Sequence, residues 1–167
     1  MMPRLSRILT GAAALLLLAA FFLPLWRIDL LAPQYPEGLG MQIWIDTITG
    51  VKEHDLTNIN ALNHYIGMRP IEPASIPELR YMPWIVGALA GAGMLAALAG
   101  RRRGLYAWVA SLVVVGAVGL ADFYRWSYDY GHNLDMEQAI IKVPGMAYQP
   151  PLLGTLMIAC SMSRLWP

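Results

Sequence analysis

Apolar and polar positions along this chain fall into long blocks rather than into the short periods of a soluble domain. Apolar runs cover about residues 8–26, 83–100, 105–124 and 150–166. An α-helix needs ~20 such residues to cross ~30 Å of hydrocarbon at ~1.5 Å per residue, so the last run is at the short limit. The pattern predicts four transmembrane helices. Between them lie two polar stretches, 27–82 and 125–149, and a short turn, 101–104. The expected fold is therefore an all-α membrane protein with residues 1–167 as one domain. It would be a four-transmembrane-helix bundle with a small cap holding a short strand and a short helix.

The first run follows Arg4 and Arg7 and ends in Phe21-Phe22-Leu23-Pro24-Leu25-Trp26. A signal peptidase needs small residues there, so the bulky end predicts a retained anchor. Within the first polar stretch, Met41–Ile48 is β-branched and aromatic and reads as a strand ended by Thr49-Gly50. Asp55 is placed to N-cap a helix over 56–66, with Leu56, Ile59, Leu62 and Ile66 as its apolar stripe. Gly67 is placed to end it in the left-handed conformation. Ser75 and Glu78 form a capping-box pattern ahead of the second span. In that span Gly87 and Gly91 are spaced as G-x-x-x-G, which predicts close helix packing inside the bundle.

Charge orients the pattern. Arg4, Arg7, Arg101, Arg102, Arg103 and Arg164 lie on one side of a four-span arrangement. All eleven acidic residues and all three histidines lie on the other. Arginine-rich short segments stay in the cytoplasm. The expected location is a bacterial inner membrane, with both termini cytoplasmic and both long loops exoplasmic, which is periplasmic in a Gram-negative cell. The lipid bilayer is then the first partner.

No nucleophile elbow, phosphate-binding loop, H-E-x-x-H or C-x-x-C motif occurs. No basic, aromatic-lined strip suggests nucleic acid as a partner, and the arginine triplet has a topological explanation. The spans carry no mid-membrane carboxylate or lysine of the kind that ion-coupled transporters use. The one cysteine, Cys160, excludes an intramolecular disulfide. What the loops do collect is imidazole and thioether. His64 and Met68 are spaced i, i+4, as are His132 and Met136. That combination without thiolate suits Cu(I), and imidazole also takes Cu(II) or zinc. Gly67, however, falls between His64 and Met68 and would part them from a common helical face. A blander reading assigns the methionines to packing and Asn58, Asn60 and Asn63 to loop backbone groups. Tyr65, Trp44, Tyr128, Tyr130 and Tyr148 would suit a surface that docks a partner protein.

Four segments carry a resemblance: 35–39, Asn58-Ile59-Asn60-Ala61-Leu62-Asn63-His64-Tyr65-Ile66-Gly67-Met68, 128–135, and 142–151. Together they resemble a family of small bacterial inner-membrane proteins associated with gene clusters for copper-enzyme maturation, particularly that of nitrous oxide reductase. The resemblance implies that His64, Met68, His132 and Met146 are retained. The family often has proline where this chain has Met136, which makes Met146 the better second thioether. The metal set expected from residue types and resemblance together is His64, Met68, His132 and Met146, with copper as the ion. No catalytic residues are expected. The function expected is that of a denitrification-related accessory protein, binding copper or assisting a periplasmic copper protein or membrane complex. The alternative is a non-catalytic membrane subunit that docks a periplasmic partner, and an enzyme acting on lipid or quinone ranks below both.

Overall fold

A computed structural model describes residues 1–32, 34–135, 137, 139–140 and 156–157. In chain order the elements are helix α1 (Arg4–Leu17), strands β1 (Trp26–Ala32), β2 (Tyr35–Ile43) and β3 (Ile48–Gly50), helices α2 (Asp55–Ile66), α3 (Pro77–Ala99) and α4 (Arg102–His132), and strand β4 (Leu156–Met157). The class is mixed α/β, not the all-α bundle expected. Among the described residues three helical stretches, not four, are long and apolar enough to cross a membrane: 4–21, where a 3₁₀ turn extends α1, then α3, and α4. Of the expected fourth span, only Leu156 and Met157 are described, and they pair with β1 in parallel. The chain divides into two compact units: Met1–Leu25 with Trp44–Thr47 and Pro73–Arg125, and Trp26–Ile43 with Ile48–Glu72 and Trp126–Pro167.

The first unit is the helical one. Its core gathers small residues of two helices around one ring: Ala14 of α1, Ala96 of α3 and Trp108 of α4 are buried, flanked by Leu17, Leu105 and Leu112. Gly93 makes this possible. A Cβ there would stand 2.6 Å from the Trp108 ring and 2.8 Å from Ala14 Cβ. The Trp108 indole N–H donates to the Leu89 carbonyl at 2.8 Å, satisfying the ring's one polar atom inside an apolar packing. Arg7 closes the far end of α3. Its guanidinium donates to the carbonyls of Ala97 and Leu98, both at 2.9 Å, where the last turn of a helix leaves carbonyls unpaired and partly negative. Gly100, at φ +61°, ends α3, and its carbonyl accepts from the Met2 N–H at 2.8 Å. Among the described residues, nothing lies within 4 Å of a Cβ built on Gly87 or Gly91, the pair whose G-x-x-x-G spacing predicted close packing. Residues Ser75 and Glu78 do not form a capping box either. The N-cap is Ile76 without a side-chain bond, and Pro77 occupies the first helical position, where its missing N–H costs nothing.

The second unit is built on the sheet, in order β3-β2-β1-β4. β1 and β2 are antiparallel from Trp26↔Ile43 to Ala32↔Tyr35. The stretch expected as one strand over 41–48 is instead a hairpin. β2 ends at Ile43, the Trp44 N–H donates to the Thr47 carbonyl at 2.8 Å, and Ile48 pairs back onto Ile43. Near the other end the register slips, so that Leu31 faces Pro36, Glu37 and Gly38, and Gly38 takes φ +75° to absorb the extra residues. Arg27 and Asp29 on β1 form an exposed ion pair at 2.9 Å. Its hydrogen bond, and then its charge, raise the guanidinium pKa further above its ordinary value. At that exposure the pair adds little stability.

α2 is laid against β2 and β3 through a buried edge made of Asp55, Ile59 and Asn63. Asp55 is not the N-cap; His54 is, and without a side-chain bond. The Asp55 carboxylate turns instead toward the sheet. One oxygen accepts from the Gly40 N–H at 2.9 Å and from the Lys52 N–H at 3.1 Å, so a single side chain ties β2 to the segment entering α2. Gly40 must lack a side chain for this approach, since a Cβ would meet Val51 at 2.5 Å. Gly67 ends α2 at φ +78°, as its position suggested. Residues 125–132, expected as loop, are the last two turns of α4. At ~1.5 Å per residue α4 is ~46 Å long, well beyond the ~30 Å of hydrocarbon. The boundary between the two units falls at Arg125/Trp126, one residue past the exposed Tyr124. Tyr124 lies ~27 Å along the axis from the exposed Tyr106, the spacing of aromatic belts at two interfaces.

Candidate functional site

The polar residues of Asn58–Met68 divide into those spent on structure and those presented outward. The Asn60 carboxamide pairs with the peptide of Ile71 in both directions. Its oxygen accepts from the Ile71 N–H at 2.7 Å, and its NH₂ donates to the Ile71 carbonyl at 3.2 Å. This mimics a sheet ladder and fixes the segment leaving α2, with Ile71 buried. Asn63 is buried and its NH₂ donates to the Tyr130 hydroxyl of α4 at 3.4 Å. At Gly67 the Asp135 N–H donates to the glycine carbonyl at 2.7 Å. Arg69 and Asp129 form an exposed ion pair at 2.7 Å. Asp129 also accepts from the Asn133 carboxamide. Contacts from Asn63, Gly67 and Arg69 thus join the C-terminal ends of α2 and α4.

His64 and His132 stand at this junction. His64 lies three residues before Gly67, and His132 three before Asp135, the two residues joined by the backbone bond. Both histidines are exposed. The His132 ring stacks on Tyr128 with centroids 3.9 Å apart, and Nδ1 lies 2.8 Å from the Tyr128 carbonyl. A carbonyl can only accept, so Nδ1 carries a proton, and the tautomer that satisfies this contact has its lone pair on Nε2. That nitrogen has no hydrogen-bond partner among the described residues. Met68 is half-buried and lies past the end of α2, so it does not share a helical face with His64. Met136 and Met146 lie outside the described residues. Met41, another thioether of this stretch, is a core residue at 4% exposure.

Among the described residues no group of three or more His, Cys, Asp or Glu side chains is placed to hold an ion. A low-coordinate ion bound by imidazole and thioether needs no such group. The anchored His132 ring matches the usual form of a metal-binding histidine, whose second nitrogen donates to a carbonyl and thereby holds the ring's tautomer and aim.

The sequence pointed to Asn63, His64 and His132, and to Tyr128 and Tyr130 only as docking aromatics. The contacts of Asp135, Ile71 and the Arg69–Asp129 pair carry no short-range signal; opposite charges in two polar stretches were the one hint available. Comparison with protein-family models, with curated proteins and with solved structures gives no match.

Proposed function

We propose that this chain is a multi-pass membrane accessory protein that holds an exoplasmic α/β cap and binds copper there, in support of copper-enzyme maturation. One observation carries the reading: His132 is held by its Nδ1–H on the Tyr128 carbonyl, with Nε2 left to bind. His132 would supply the first ligand. His64 and Met68, at the joined end of α2, are the candidates for the second. The last turn of α4 adds partial negative charge that favours a cation.

Three crossings suit this arrangement. They put the end of α1, the start of α3 and the end of α4 on one face of the bilayer. Arg4 and Arg101–Arg103 then lie on the other face, which the positive-inside rule makes cytoplasmic in a bacterial inner membrane. Residues after α4 begin on the exoplasmic side. The resemblance to the copper-associated family adds context by analogy.

Full-length protein loaded with Cu(I) and dialysed tests this. Retention of about one ion per chain is expected. No retention at micromolar free copper would contradict it.

A second reading has its own support. Tyr65 and Tyr128 are each 48% exposed, close to the same junction. Aromatics held on a fixed backbone suit docking of a partner protein. That reading expects a co-purifying partner that chelators do not release.

A further inference from the structure

We infer that the end of the helical unit formed by the start of α1 and the α3–α4 turn is a binding surface for an anionic phospholipid headgroup, best filled by the two phosphates of diphosphatidylglycerol. Arg4 is about a hundred residues from Arg101, Arg102 and Arg103 in sequence. The fold brings the two segments together. The Met2 N–H is bonded to the Gly100 carbonyl at 2.8 Å, and Arg7 holds the carbonyls of Ala97 and Leu98. Arg7 is thereby occupied, but the other four arginines are not. All four are exposed, and none has an ion-pair or hydrogen-bonding side-chain partner among the described residues. No acidic residue lies in the first turn of α1 or of α4.

With the three apolar helices crossing a bilayer, these four guanidiniums come to the depth of lipid phosphates. Guanidinium forks match phosphate oxygens in pairs, and at a bilayer surface phosphodiesters are the anions within their reach. Basic clusters at helix ends on the arginine-rich side are suited to lipids with more than one phosphate. The surface belongs to the helical unit alone and does not depend on copper or on the cap.

Native mass spectrometry of the full chain in detergent tests this. The protein is offered equal amounts of diphosphatidylglycerol, phosphatidylglycerol and phosphatidylcholine. Diphosphatidylglycerol should be retained in clear preference to phosphatidylcholine. Replacing Arg101, Arg102 and Arg103 together by glutamine should cut its retention about a hundredfold, at about fivefold per arginine. Arg4→Gln leaves the triplet intact, so it covers the case where the triple variant fails to insert. It should cost about fivefold on the same scale, while Arg27→Gln should cost nothing. Equal retention of phosphatidylcholine, an unaffected Arg4→Gln variant, or release of the lipid by equimolar inorganic phosphate would each overturn the inference.

Discussion

The amide of Asp135 donates to the carbonyl of Gly67 at 2.7 Å, across 68 residues of sequence. This bond makes one structure of two helix ends that the chain order keeps apart. It also explains Gly67 twice over. The residue must take φ +78° to end α2, and it must have no side chain, because a Cβ would stand 2.5 Å from the Asp135 carbonyl oxygen and 3.0 Å from Ala139 Cβ.

Gly67→Ala should therefore do more than add the left-handed penalty of about 1 kcal/mol. Backbone stands in the way, and backbone does not swing aside. A loss of about 2–4 kcal/mol is expected, read as a lower unfolding temperature and faster amide exchange at Asp135. A variant as stable as the parent would mean that α2 and α4 are not joined here.

Gly93 and Gly91 make an internal control, two residues apart on α3. Gly93→Ala drives a methyl into the Trp108 ring and Ala14, and should cost about 1–3 kcal/mol in thermal unfolding. Gly91→Ala meets nothing among the described residues and gains helix propensity, so stability should hold or rise by up to about 1 kcal/mol. The reverse order would show the three helices packed on another face.

Asp55 and Asn60 are expected to matter for folding rather than for binding. Asp55→Ala strands the Gly40 and Lys52 N–H groups and should destabilise by about 2–3 kcal/mol, with Asp55→Asn recovering part of it through the remaining oxygen. Asn60→Ala removes both bonds to Ile71 and should cost about 1–3 kcal/mol. Copper affinity of the folded fraction should be unchanged in all three, which separates these residues from His132.

Helices were legible because lipid demands a long apolar run and little else; α3 and α4 stand where their composition put them. Their ends were not legible. Tyr128-Asp129-Tyr130-Gly131-His132 looks like loop because glycine and polar residues interrupt it, yet it continues α4, held by contacts from Asn63 of α2 and from Arg69 beyond it. The sheet was hidden for a related reason. β2 contains Pro36, Gly38 and Gly40, which read as turn residues, but Gly38 serves a bulge and Gly40 a close approach. Its burial does not alternate, so the period of two is blurred. At the junction, His64 and His132 could be chosen by residue type. The tautomer of His132 could not, since it depends on which carbonyl its ring meets.

The central claim is that His132 Nε2 binds copper, and Cu(I) retention by purified full-length variants tests it most directly. About one Cu(I) per chain is expected for the parent and for His54→Ala, whose imidazole lies at the start of α2. His132→Ala should lose the ion while its unfolding temperature stays within a few degrees of the parent. Copper retained in full by His132→Ala, or absent from the parent at micromolar free Cu(I), would contradict the account.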